Sequence, residues 1–213
     1  MKLYSFFRSS AAYRVRIALH WKGLRYEYAA THLRRGEQSA PDYRALNPQA
    51  LVPTLVDAGV ALSQSLAIIE YLEEAYPETP RLLPSTPAER AIVRAMSQAI
   101  ACEIHPLNNL RVLNYLKSEM GQAEAAADGW YRHWIAEGFA ALETSIRKHS
   151  TDGKHSFGGG VTLADVCLVP QVYNARRFRA DLAPYPTLVG VAESLEAVPA
   201  FVAARPEAQP DTE

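Results

Sequence analysis

The chain has 213 residues, 48% of them hydrophobic and 21% charged, with a formal net charge of -1. That composition fits a folded globular protein of one or two domains, long enough to bury a sizeable core. The near-zero charge excludes a chain-wide basic surface for nucleic acid or for an anionic membrane.

No stretch approaches the roughly 20 apolar residues of a membrane helix. The apolar run after Met1 is interrupted at Arg8, too soon for a secretion signal, so the expected compartment is the cytoplasm. Cys102 and Cys167 form no CxxC pair and no metal-ligand spacing. Reduced, mostly buried thiols are expected, and no metal site.

Leu3 to Phe7 is a short apolar, aromatic run that suits a strand. Tyr13, Ile17 and Trp21 then recur at helical spacing, and Gly23 ends that helix. Tyr26, Tyr28 and Ala30 alternate as a second strand, and Pro41–Leu46 is a helical turn stopped at Asn47-Pro48. Val52–Val56 and Val60–Leu62 flank Asp57-Ala58-Gly59, which predicts a hairpin. Ser65–Tyr76 is amphipathic, with Ile68, Ile69 and Leu72 on one face.

The order β-α-β-α-β-β-α defines an α/β module over residues 1–80. Prolines crowd the following stretch, so 81–88 reads as a linker and 89–213 as an all-helical domain. There the pattern predicts long helices over 88–119 and 124–149, and a third opening at Thr162. Asp165, three residues after Thr162, completes a capping box, and that structural role accounts for its charge. Pro170 is expected to kink this helix. The last stretch, 206–213, reads as an extended or frayed polar tail.

No GxGxxG, P-loop or HExxH is present. Three segments carry positive signals. In Arg8-Ser9-Ser10, two hydroxyls stand where a strand hands over to a helix, and the amides and dipole there favour an anion. Val52-Pro53 can present an extended backbone to a ligand, and Gln64-Ser65 stands at another helix N-terminus suited to a carboxylate. Taken one by one, these read equally as capping serines and an edge-strand proline. Together, in one small module, they fit a peptide-like ligand bearing carboxylates and a thiol.

With these residues in view, the chain resembles the zeta-class glutathione transferases. The resemblance rests on Ser9-Ser10 followed by Arg14-Val15-Arg16-Ile17-Ala18-Leu19, on Val52-Pro53-Thr54-Leu55, and on Gln64 to Glu74. It extends through His105-Pro106-Leu107-Asn108-Asn109, Thr162–Asp165, Leu168–Val172 and Asp181–Pro186, essentially the whole chain. It implies a thioredoxin-like N-terminal α/β domain, an all-α C-terminal domain and a homodimer.

The resemblance further implies glutathione as coenzyme and cis–trans isomerisation of maleylacetoacetate by thiolate addition, bond rotation and elimination. Maleylpyruvate isomerisation, glutathione conjugation to haloacids and a non-catalytic binding module are the alternatives. Ser9 is implied as the thiolate's partner, with Ser10 and Arg8 beside it. Glutathione would also meet Ala11, Gln38, Val52, Gln64, Ser65, His105 and Asn109. The dicarboxylate substrate calls for cations, and Arg8, Arg111, Arg176 and Arg177 are the candidates. One departure stands out: the family commonly carries Ser-Ser-Cys, and here the third position is Ala11.

Overall fold

A computed structural model describes all residues, 1–213. The chain forms two compact units, Met1–Leu82 with Ala197–Glu213, and Leu83–Glu196.

The first unit is built on four short strands, β1 (Lys2–Ser5), β2 (Glu27–Ala30), β3 (Thr54–Asp57) and β4 (Val60–Ser63), in the order β2-β1-β3-β4. β1 runs parallel to β2, with Leu3 opposite Tyr28, and antiparallel to β3, with Leu3 opposite Leu55. The parallel pair needs a crossover, supplied by α1 (Ser10–Trp21). The β3–β4 hairpin turns at Ala58 and Gly59, whose φ angles of 47° and 81° both fall in the left-handed region required by such a tight turn. α2 (Pro41–Leu46) precedes β3, and α3 (Ser65–Ala75) follows β4 and packs against α1.

α1 is buried from Ser10 to Leu19 because α3 and α9 (Pro199–Ala204) both pack against it. Tyr13 is in the core and Trp21 is half-buried. The far end of α1 is fixed by a buried ion pair, Lys22 Nζ to Glu73 Oε1 at 2.6 Å.

The second unit is helical: α4 (Pro87–Gln98), α5 (Leu110–Ser118), α6 (Glu124–His149), α7 (Leu163–Arg177) and α8 (Pro186–Glu196). α7 is its centre, buried on every side from Leu163 to Val172, and it continues through Pro170. Asp165 is fully buried at its start. Its Oδ2 accepts from the Thr162 amide at 2.7 Å and the Thr162 hydroxyl at 3.0 Å, and its Oδ1 accepts from the Ser156 amide at 2.7 Å. Burial pushes this carboxyl above the usual carboxylate range, while the donors pull the other way. Asp165→Asn turns an NH₂ group toward one set of these donors. It is expected to cost about 2 kcal/mol, read as a lower midpoint in urea unfolding.

Five expectations are corrected. The helix predicted over 88–119 is interrupted: α4 passes into a π-helical turn at Ala99–Ile104, the chain bends through 105–109, and α5 starts anew after the Asn109 cap. Pro106 has no N–H to continue the ladder, and Gly138 of α6 leaves room for Ile104, where any Cβ would overlap its side chain. Cys167 is buried, but Cys102, on the π turn, is exposed. The hairpin starts at Thr54 rather than Val52. The segment 206–213 is fastened rather than frayed, with Pro206 and Gln209 buried, and Ala197–Glu213 groups with the first unit rather than the helical one. Side chains of α1 and β2 donate to this segment, which explains the grouping.

Candidate active site

In the first unit the sequence between β1 and α1 turns sharply. The Ser9 amide donates to the Phe6 carbonyl at 2.9 Å, and Ser9 then caps α1. Its Oγ accepts from the Ala12 amide at 3.2 Å. A hydroxyl that accepts there keeps its own proton to donate elsewhere, so capping and stabilising an anion are compatible uses of one oxygen. The partial positive end of a twelve-residue helix adds to that preference. Arg8 and Ser9 are partly exposed, while Ser10 and Ala11 are buried in the first turn of α1. The Arg8 guanidinium lies over the Phe7 ring, 4.8 Å from its centroid.

Phe6 and Phe7 pack with Tyr43 and Val52 in one buried cluster, which brings the Val52 segment to the same core as the Ser9 turn. The Val52–Pro53 peptide is cis. Pairing with β1 and β4 begins only at Thr54, so the Val52 amide and carbonyl lie outside the sheet ladder.

Gln64 precedes α3 with φ 69° and ψ 116°, a conformation ordinary side chains avoid. Its Nε2 donates to Gln49 Oε1 at 2.9 Å. Ser65 is buried, and its Oγ accepts from Arg14 Nη1 at 3.2 Å, so a side chain of α1 holds the start of α3. Gln38 lies on a 3₁₀ turn, and its Oε1 is buried without a hydrogen-bond partner.

These groups suit an anionic, peptide-like thiol. The first turns of two helices offer amides, Val52 offers unpaired backbone, and Ser9 offers a hydroxyl proton.

In the second unit, Trp130 Nε1 donates to the Leu107 carbonyl at 2.8 Å and Asn108 Nδ2 to the Tyr131 carbonyl at 3.1 Å. These bonds fix the 105–109 bend, which carries His105 and Asn109, against α6. Asn109 Oδ1 caps α5 by accepting from the Arg111 amide at 3.1 Å, and Arg111 is exposed in the first turn. At the end of α7 the Phe178 ring stacks on Tyr131 with centroids 3.6 Å apart, and the Arg177 guanidinium lies 4.9 Å from the Phe178 centroid. Arg176 is placed differently from its sequence reading. It is ion-paired with Glu196 at 2.6 Å and Glu193 at 3.2 Å, both on α8. Its guanidinium is engaged within the helical unit.

Three side chains given no role at the site from sequence hold the helix starts and the turn in place: Arg14, Arg16 and Asp211. Arg14 and Arg16 did leave a signal, two cations on a helix otherwise apolar from Ala11 to Leu19. Arg16 is fully buried, which pulls its guanidinium below the ordinary arginine range, while Tyr28, Tyr26 and Tyr13, and to a smaller extent Asp211, oppose that shift.

Comparison with known proteins fixes the class first: the model of the glutathione S-transferase N-terminal domain family matches residues 3–80. A Vibrio cholerae protein named probable maleylacetoacetate isomerase is 54% identical over 98% of this chain and 97% of its own. A solved structure described as holo maleylpyruvate isomerase, a bacterial zeta-class glutathione transferase, superposes with a TM-score of 0.97 at 48% identity over the whole of both chains. Another, maleylacetoacetate isomerase from Methylobacterium extorquens AM1 with bound malonate and glutathione, gives 0.96 at 38% identity, again over both chains in full. The chain therefore belongs to the zeta-class glutathione transferases, the family that includes the maleylacetoacetate and maleylpyruvate isomerases.

Proposed function

We propose that the chain is a glutathione-dependent isomerase that converts maleylacetoacetate to fumarylacetoacetate. The observation that carries this reading is the Ser9 hydroxyl, which accepts from Ala12 at the head of α1 and so keeps its proton for a thiolate. The relatives' names supply the reaction type.

When bound, glutathione supplies a thiolate that adds reversibly to a cis double bond conjugated with a carbonyl. A free thiol titrates near pH 8.5, so thiolate at neutral pH needs help. Ser9 gives it by donating to sulfur, and the α1 N-terminus by its dipole. Ala11, where the family commonly has cysteine, leaves the Ser9 donor in place and removes a competing thiol from the first turn.

Val52 pairs the peptide backbone of glutathione, and Ser65 and Gln64 take a carboxylate at the α3 N-terminus. Gln38 meets the glycyl end by donating from its side-chain NH₂ group, and His105 and Asn109 complete the glutathione contacts. Arg8, Arg111 and Arg177 hold the substrate carboxylates and the enolate charge that develops during rotation.

Arg177→Ala is expected to raise KM for the dicarboxylate about tenfold or more while glutathione affinity moves less than about threefold. Isothermal calorimetry with glutathione, run beside steady-state kinetics, checks this. Equal losses for both ligands contradict the assignment.

A second reading, maleylpyruvate isomerisation, is the activity named for one of the similar solved structures. Turnover of maleylacetoacetate, maleylpyruvate and dichloroacetate measured side by side decides among the two isomerisations and haloacid conjugation.

No helix is long and apolar enough to cross a membrane. We place the enzyme in the cytoplasm as a homodimer, on the family resemblance. Light scattering at micromolar concentration tests the dimer.

A further inference from the structure

The turn that carries Arg8 and Ser9 is gripped from both sides. From within α1, Arg16 Nη2 donates to the Phe7 carbonyl at 3.0 Å and Nη1 to the Phe6 carbonyl at 3.4 Å. The same Nη1 donates to Ser5 Oγ at 3.1 Å, and Nε to the Ala204 carbonyl at 2.9 Å. From the other side comes a residue 204 positions away: Asp211 Oδ2 accepts from the Phe7 amide at 3.1 Å. Asp211 Oδ1 accepts from the Tyr28 hydroxyl at 2.6 Å, so the carboxylate bridges the turn and β2. Both the amide and the carbonyl of Phe7 are thereby fixed, and Arg8 stacks on the Phe7 ring.

We infer that Asp211 is a positioning residue for catalysis: through the Phe7 amide it sets where Arg8 and Ser9 stand. The inference rests on the role given to Ser9 above. A displaced hydroxyl donor loses much of its effect on a thiolate, because stabilisation of developing charge depends on preorganised geometry.

A neighbour supplies the control. Glu213 fastens the same segment to the same unit, pairing with His32 Nε2 at 2.7 Å and Arg35 at 3.6 Å, and it reaches the turn only through the edge-on contact of the His32 ring with Phe6. Removing Glu213 loosens the segment while both Asp211 bonds, to the Phe7 amide and the Tyr28 hydroxyl, stay in place.

The experiment compares Asp211→Ala, Asp211→Asn, Glu213→Ala, Tyr28→Phe and Ser9→Ala by steady-state kinetics on maleylacetoacetate. Ultraviolet difference titration of the bound glutathione thiol is run in parallel. Asp211→Ala is expected to lower kcat about tenfold, with KM for glutathione moving less than about threefold, and to raise the pKa of the bound thiol. Asp211→Asn keeps an oxygen for the Phe7 amide and should recover most of the turnover and the thiol pKa. Glu213→Ala should stay within about twofold of the parent kcat, as expected for an exposed pair.

Parent-like turnover in Asp211→Ala overturns the inference. So does a fall in Glu213→Ala as deep as that in Asp211→Ala. If Asp211→Ala does not fold, Tyr28→Phe decides: a loss of about threefold in kcat at an unchanged melting temperature supports positioning, and unchanged kcat refutes it. Parent-like Asp211→Ala beside an inactive Ser9→Ala removes this inference alone. Parent-like Ser9→Ala removes the reading of the site itself.

Discussion

Exchanging Ser9 for alanine is expected to lower kcat for isomerisation by about a hundredfold to a thousandfold, the usual loss when one preorganised donor to a developing or bound anion is deleted. The sign follows from the geometry: Ser9 Oγ already accepts from Ala12, so its hydrogen is the free end, and alanine removes it. The same change removes the α1 cap, which costs about 1 kcal/mol of stability. That loss lowers the melting temperature by only about 2–4 °C for a chain of this size, so stability and turnover separate cleanly. Ser9→Thr keeps both the cap and the donor and should retain much more activity than Ser9→Ala. Rapid-quench turnover and a thermal melt on the two variants check the pair of expectations. Parent-like turnover in Ser9→Ala removes Ser9 from the mechanism.

The largest effect on stability is expected at Lys22. Its ammonium is 1% exposed and its partner Glu73 7% exposed, at 2.6 Å. Lys22 Nζ also donates to Thr79 Oγ1 at 3.1 Å and to the Pro80 carbonyl at 3.2 Å, and Glu73 Oε1 accepts from the Leu82 amide at 2.9 Å. The pair thus ties the end of α1 to α3 and to the chain leaving the first unit.

Lys22→Met strands a buried carboxylate and is expected to cost about 3–5 kcal/mol, or roughly 10 °C in melting temperature. Adding Glu73→Leu removes the stranded charge and should recover part of that loss, leaving unsatisfied acceptors at Thr79 and Pro80 and an unsatisfied donor at the Leu82 amide. Calorimetric melts of the single and double variants measure the coupling. Additive losses in the double variant contradict the stranded-charge account.

What the sequence disclosed and what it withheld divide along the range of the interactions involved. β1, the amphipathic face of α3 and the Asp57–Gly59 hairpin were readable because periodicity and turn chemistry act within a few residues. The Thr162–Asp165 box was readable for the same reason, and the structure adds only the Ser156 amide to it. Ser9 and Gln64-Ser65 were readable as helix starts because those have a local signature.

The break at Ala99–Ile104 was not found. The helical period continues up to it, and the packing that accommodates it is the absent Cβ of Gly138, more than thirty residues later. The positive φ of Gln64 leaves no trace in a glutamine side chain. Least legible was Asp211, in a polar stretch that composition alone assigns to a loose end. Its partners Phe7 and Tyr28 are close only in the folded chain. The pairing of Arg176 with Glu193 and Glu196 on α8 is equally invisible in the sequence, because the partners lie 17 and 20 residues away.

Isomerisation through a bound thiol returns that thiol unchanged, whereas conjugation consumes it. The most direct measurement follows maleylacetoacetate by NMR in the presence of enzyme and a substoichiometric amount of glutathione. Complete conversion to the trans product, with all of the glutathione recovered as free thiol, is the predicted result. Conversion that stops when one equivalent of thiol has been used, or that proceeds equally well without glutathione, would contradict it.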